Sequence, residues 1–140
     1  MYLIDTNVIS EARKKTKANP GVLNFFREVA TRDEAVYLSV VTVGELRRGV
    51  ELIRYRGDIP QAALLEVWLT EVLDQYRDNI LDFDTDAAQV WGRLRVPDAG
   101  NGIDKQIAAI ALINGLTVVT RNIDDFAGTG AQVRNPFVAV

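Results

Sequence analysis

The sequence predicts an α/β fold: a single domain with a central, mostly parallel sheet of four to five strands and helices on both faces. Three observations point there. Apolar, strand-like runs alternate with stretches of helical periodicity, the signature of strands joined by crossover helices. No repeat, low-complexity stretch or linker interrupts the chain, so residues 1–140 read as one domain. The composition, 48% hydrophobic and 25% charged, is that of a globular protein able to bury a proper core.

Each element has its own signal. Tyr2-Leu3-Ile4 suits a buried strand, ended by Asp5-Thr6-Asn7, and a short helix is expected over 7–14. Asn19 and Pro20 read as N-cap and first residue of a second helix, whose apolar face is Val22, Leu23, Phe25, Phe26 and Val29. Val36 to Val41 reads as the second strand. A helix is expected from Thr42 to about Arg56, with Val43, Leu46, Val50 and Ile53 at helical spacing. Gly57-Asp58-Ile59-Pro60 breaks it. The next helix carries Leu64, Leu65, Trp68, Leu69, Val72, Leu73 and Tyr76, a face suited to packing on another helix. Ile80 to Phe83 is the expected third strand, and Asp84-Thr85-Asp86 caps a helix to about Val96. After a loop from Pro97 to Gly102, Ile103–Asn114 reads as helix with Gly115 as its C-cap. Leu116 to Thr120 is the fourth strand, Ile123–Phe126 a short helix, and Gln132 to Arg134 an edge strand.

Composition also excludes chemistry. The chain has no His and no Cys, which removes Ser-His and Cys-His nucleophiles, Cys/His zinc sites and disulfides. Any catalysis must come mainly from carboxylates, and clustered carboxylates bind hard cations such as Mg²⁺. The net charge of −3 argues against a nonspecific coat on nucleic acid. Basic residues are nonetheless grouped at Arg13, Lys14, Lys15 and Lys17, at Arg47, Arg48, Arg54 and Arg56, and at Arg93 and Arg95. Such stripes bind phosphates or simply solvate helix faces. No signal peptide and no apolar run of membrane-spanning length is visible, so the expected location is the cytoplasm, away from membranes.

Four polar positions stand where an open α/β sheet places its ligands, at the carboxyl edge of the strands. Asp5 ends strand 1, Glu45 lies one turn into the helix after strand 2, and Asn122 follows strand 4. Asp104 opens the helix before strand 4, and reaches that edge if the helix begins there, as in a right-handed crossover. Each has a plainer reading. Thr42-Val43-Gly44-Glu45 fits a capping box. Asp104 suits the positive end of a helix dipole. Asp5 and Asn122 are ready N-caps. Capping does not explain why so many acidic residues fall on one edge. Mg²⁺ or Mn²⁺ held by two or three carboxylates keeps positions open for a phosphate oxygen and a water, and hydrolyses phosphodiesters without histidine.

Leu3-Ile4-Asp5-Thr6-Asn7-Val8-Ile9-Ser10-Glu11 resembles the opening of PIN-domain ribonucleases of the VapC toxin family, and Asp-Thr-Asn-Val-Ile-Ser-Glu that of its FitB-like subgroup. Leu38 to Val50, with Thr42 and Glu45, is similar to the family's second motif; Ile103-Asp104-Lys105-Gln106-Ile107-Ala108-Ala109 to its third; Leu116 to Asn122, with Phe126, to its fourth. Order and spacing agree from residue 2 to about 137.

The resemblance implies a PIN-like domain and a divalent-metal-dependent endoribonuclease that hydrolyses RNA with a metal-activated water. It implies the toxin of a type II toxin–antitoxin pair, with Mg²⁺ or Mn²⁺ as cofactor. Asp5, Glu45 and Asp104 carry over as catalytic carboxylates and, with Asn122, as the metal site; the three carboxylates are expected to come within one coordination sphere's reach, with Asn122 beside them. Thr6 and Thr120 carry over as hydroxyls in or just behind that site. Asn122 stands where many members have a fourth acid, offering a carbonyl oxygen without charge. Lys105 is positioned to pair with Asp104 or with RNA phosphate. The implied partners are RNA, a VapB-like antitoxin and a second copy in a homodimer, with DNA reached only through the antitoxin. The alternatives are a non-catalytic PIN-like domain that binds RNA or protein, and a phosphatase-like hydrolase on the same architecture.

Overall fold

A computed structural model describes residues 1–140 and bears out the alternation of strands and helices. β1 (Tyr2–Ile4), β2 (Val36–Ser39), β3 (Ile80–Leu81), β4 (Thr117–Val119) and β5 (Val133–Arg134) form one sheet in the order β3-β2-β1-β4-β5, with every neighbouring pair parallel. The helices are α1 (Thr6–Ala12), α2 (Pro20–Thr31), α3 (Val40–Tyr55), α4 (Ile59–Gln75), α5 (Thr85–Leu94) and α6 (Gly102–Asn114). Tight 3₁₀ turns occupy Lys15–Lys17, Arg77–Asn79 and Ile123–Phe126.

Side chains alternate across the sheet, so each strand feeds two cores. Ile4, Leu38 and Val119 pack with Val8 and Ile9 of α1, Val22 and Phe25 of α2, Leu46 and Val50 of α3, and Leu69 and Val72 of α4. Leu3 and Val118 face the other way, onto Ala87 of α5 and Ile107, Ala108, Ile110 and Ala111 of α6. Helices thus cover both faces, which parallel strands require. No helix is long and apolar enough to cross a membrane.

The expected boundaries move in three places. α1 begins at Thr6, because Asp5 itself caps it, and ends at Ala12. β2 stops at Ser39 rather than running on to Val41, and α3 starts at Val40 rather than Thr42. β3 keeps only Ile80 and Leu81 of the expected four residues. It pairs only with β2, at the sheet's edge. Phe83 leaves the ladder to meet Trp91 of α5 edge to face, with ring centroids 5.8 Å apart.

The carboxyl-terminal segment is latched at one glycine. Asn19 caps Gly21 (N–H to Oδ1, 2.9 Å), and the same amide donates to the Val138 carbonyl at 2.8 Å and accepts the Val138 N–H at 3.1 Å. A Cβ on Gly21 would lie 2.0 Å from the Pro136 carbonyl oxygen and 2.9 Å from Val138 Cγ1. Gly21→Ala is therefore expected to detach residues 136–138 and cost about 2 kcal/mol, read as a lower urea midpoint.

Candidate active site

Parallel pairing puts every strand's carboxyl end on one edge, and the strand order reverses between β1 and β4. Beyond β1 lie β2 and β3; on the other side lie β4 and β5. The crevice at such a reversal is where open sheets bind ligands. Asp5 follows β1 there, and Thr120-Arg121-Asn122 follows β4.

Asp5 is 4% exposed, and its carboxylate is held on three sides. Oδ1 accepts the Thr6 N–H at 2.8 Å; Oδ2 accepts the Thr120 hydroxyl at 2.8 Å and the Asn7 amide at 3.3 Å. Asn7 Nδ2 also reaches Thr120 Oγ1 at 3.3 Å, and its Oδ1 accepts the Arg121 N–H at 3.0 Å. Asp5 caps α1, as the plainer reading held, but the cap employs one oxygen and the other binds the β4 strand end. Burial pushes its carboxyl above the ordinary range, the hydrogen bonds from Thr120, Thr6 and Asn7 pull it back, and the Asp125 charge raises it further.

The capping-box reading of Glu45 does not survive. Ser39 is the N-cap of α3, its hydroxyl accepting the Thr42 N–H at 3.0 Å. Glu45 is then six residues into the helix, in its second turn, too far along to cap it. It is half-buried and forms no ion pair.

Asp104 sits in the first turn of α6, half-buried. Its carboxyl is pushed up to about 6, first by burial and then by the charges of Asp5, Asp125 and Glu45. α6 packs against the 3₁₀ turn that follows β4, so it begins at the carboxyl edge. Asp125 is the residue that sequence reasoning missed. It lies in the 3₁₀ turn after β4, and its only signal in the sequence is an acid three residues after Asn122.

The acids share one electrostatic neighbourhood, yet they are not drawn into a coordination sphere. No group of three or more Asp or Glu side chains stands close enough to hold a metal ion. Neither Glu45 nor Asp104 has a basic partner within ion-pair distance.

Asn122 is exposed. Its backbone N–H donates to Thr120 Oγ1 at 3.0 Å, and its side chain does not cap the turn it precedes. The Thr120 hydroxyl therefore donates to Asp5 while accepting from Asn7 and Asn122. Thr6 contributes its N–H to Asp5, whereas its buried hydroxyl has no partner. Lys105 pairs with neither Asp104 nor solvent. It is 8% exposed and reaches back to the Asp98 carbonyl oxygen at 2.5 Å, tying the 97–101 loop to α6.

Because Asp104 holds its proton more tightly folded than unfolded, ionising it costs the folded state. This penalty is absent below 3.8, grows as pH rises to about 6, and is complete above it. Asp104→Asn is expected to stabilise the metal-free protein at pH 7.5 by about 1 kcal/mol after allowance for solvent screening, or ~3 °C in Tm, and not at pH 4. Thermal melts at the two pH values check it.

Comparison with known proteins gives a match to the PIN domain family over residues 2–131. The plasmid stability protein StbB of Pseudomonas syringae pv. tomato is 36% identical over 99% of this chain and 100% of its own length. The VapC ribonuclease Y4jK of Sinorhizobium fredii is 34% identical over 98% of each chain. The toxin FitB of Neisseria gonorrhoeae is 34% identical over 98% of this chain and 99% of its own. A crystal structure of FitAcB from that organism superposes with a TM-score of 0.82, at 33% identity over 97% of this chain and 98% of the other. A structure of FitAB bound to an IR36 DNA fragment gives 0.83, at 30% identity over 100% and 98%.

Proposed function

The chain belongs to the PIN domain family, and on that premise we propose that it is a divalent-metal-dependent endoribonuclease, the toxin of a type II toxin–antitoxin pair. The observation that carries this reading is the Asp5 carboxylate, buried at the switch point, with Asp104 placed where the charges of Asp5, Asp125 and Glu45 all act on it. The ribonuclease and toxin relatives support the same substrate class.

The donor set fits a hard cation: it is all oxygen, and its uncompensated charge disfavours ionised Asp104 until a cation arrives. Asp5, Glu45 and Asp104 would hold Mg²⁺ or Mn²⁺, with the Asn122 carbonyl oxygen beside them. Such an ion lowers the pKa of water and neutralises charge developing on a phosphoryl group. The chain's own residues do the rest. Thr120, Thr6 and Asn7 lock the Asp5 carboxylate in one orientation. Glu45 and Asp104 are half-buried and carry no ion pair that would compete with a cation. The partners are RNA, a VapB-like antitoxin, a second copy of the chain, and DNA only through the antitoxin; the compartment is the cytoplasm.

The exposed Asn122 side chain takes no part in holding Asp5, so its lack of charge leaves the acid site whole. This argues against a non-catalytic domain. Asn122→Ala is expected to lower the rate less than about tenfold, and Asn122→Asp to be tolerated; a Mn²⁺ titration of RNA cleavage by all three proteins checks this. The test of the reading itself is the chemistry of the product ends. Attack by water with the 3′-oxygen as leaving group, as the family resemblance implies, leaves a 5′-phosphate and a 3′-hydroxyl, and ends carrying a 2′,3′-cyclic phosphate would overturn it.

A further inference from the structure

The residue that follows Thr120 has its backbone fixed at the site and its guanidinium stacked on a ring without an ion pair. Arg121 follows Thr120, and its backbone N–H is fixed by Asn7 Oδ1 at 3.0 Å, the same Asn7 whose amide nitrogen contacts Asp5. Its exposed guanidinium lies over the Phe137 ring, 4.9 Å from the centroid. Phe137 is itself steadied, packing against the core of the α1–α4 face and donating its N–H to Asn135 Oδ1 at 3.0 Å. Arg121 takes part in no ion pair.

The nearby acid outside the site is already satisfied. Glu11 takes the Lys14 ammonium on Oε1 at 2.9 Å and the Asn19 N–H on Oε2 at 2.8 Å. Arg121 acts on Glu11 only through space, and its guanidinium N–H groups have no acceptor. An arginine stacked on an aromatic ring has one face covered and its N–H edge free, with much of its side-chain entropy already lost. That edge suits a phosphate, which accepts two parallel N–H bonds. The acids around Asp5 repel a polyanion, so an RNA strand needs a cation beside them as well as the metal between them.

We infer that Arg121, stacked on Phe137, binds a backbone phosphate of the RNA strand next to the bond that is cleaved. The inference rests on the ribonuclease reading and adds to it the residue that grips the strand. Arg121 is a binding residue and not part of the acid site.

The test uses the full-length protein and a fluorescein-labelled single-stranded RNA. Binding is measured in EDTA across a salt series, and cleavage in Mn²⁺. Arg121→Ala is expected to reduce the slope of log affinity against log salt by about 0.7 and to weaken binding about fivefold at 0.1 M salt. KM should rise by a similar factor, with kcat within twofold of wild type. Phe137→Leu, which keeps apolar packing but removes the ring, should weaken binding by a smaller factor. Arg121→Lys should retain the slope. Wild-type slope and KM in Arg121→Ala would overturn the inference while leaving the ribonuclease reading intact. A loss of kcat at constant KM would also overturn it, placing Arg121 with the acids. Wild-type protein that neither binds nor cleaves RNA would overturn both.

Discussion

Asp5→Asn is expected to lower RNA cleavage at least a thousandfold, a loss of about 4 kcal/mol of transition-state stabilisation, with the fold unchanged. The substitution removes a charge and almost no volume. Asn keeps a carbonyl oxygen for the Thr6 N–H, so the cap on α1 persists. The Thr120 hydroxyl, now a donor to Asp5, can accept from the new amide by giving up the long contact from Asn7 at 3.3 Å. Burial of the carboxylate is unfavourable in its own right, and a neutral amide relieves that cost. The variant should therefore melt within a few degrees of wild type while its rate collapses. A variant that is equally inactive but unfolded would be uninformative about charge, so the melt and the rate are measured on one preparation. Retention of more than a tenth of the rate would show that the metal charge does not depend on Asp5.

The largest expected effect on stability is at Phe25. Its side chain is 1% exposed in the core between the sheet and α1–α4. It meets Tyr2 of β1 edge to face, with centroids 5.1 Å apart, and Phe26 at 5.2 Å. The Arg134 guanidinium of β5 sits 5.0 Å from its centroid, and is itself paired with Glu28 at 2.8 Å. One ring thus joins α2 to the first strand and to the last. Phe25→Ala is expected to cost about 4 kcal/mol, from lost transfer free energy and the cavity left behind. Tm should fall on the order of 10 °C, and the urea midpoint should fall at unchanged slope. A loss below about 1 kcal/mol would mean that the core collapses around the gap.

What could be read from the residues, and what could not, follows from the range of the forces involved. The opening strand was legible because Tyr2-Leu3-Ile4 is apolar and Asp5-Thr6-Asn7 stops it. α6 and β4 were legible because Gly115, at φ +65°, must end the helix between them. The start of α3 was not. Val36 to Val43 is almost uninterrupted strand-forming sequence, and only the Ser39 hydroxyl, by capturing the Thr42 N–H, decides that the helix begins at Val40. That single hydrogen bond also removes the capping role from Glu45 and leaves its carboxylate available to the site.

The site itself was legible as a set of acids on one edge, because parallel strands share their carboxyl ends. Its tertiary contacts were not. Nothing local says that the Thr120 hydroxyl, 115 positions along the chain, will close on Asp5. Nothing local says that Asp125 will raise both Asp5 and Asp104, or that Lys105 will turn from its neighbouring acid to the Asp98 carbonyl. The topology places the acids in one neighbourhood, where the charges of Asp5, Asp125 and Glu45 act together on Asp104.

The central claim is that a cation completes this acid site and that RNA cleavage depends on it. The most direct measurement is cleavage of single-stranded RNA by the purified full-length protein, free of any antitoxin, in Mn²⁺, in EDTA, and in EDTA followed by excess Mn²⁺. The account predicts cleavage in the first, none in the second and recovery in the third. Undiminished cleavage in EDTA would contradict it.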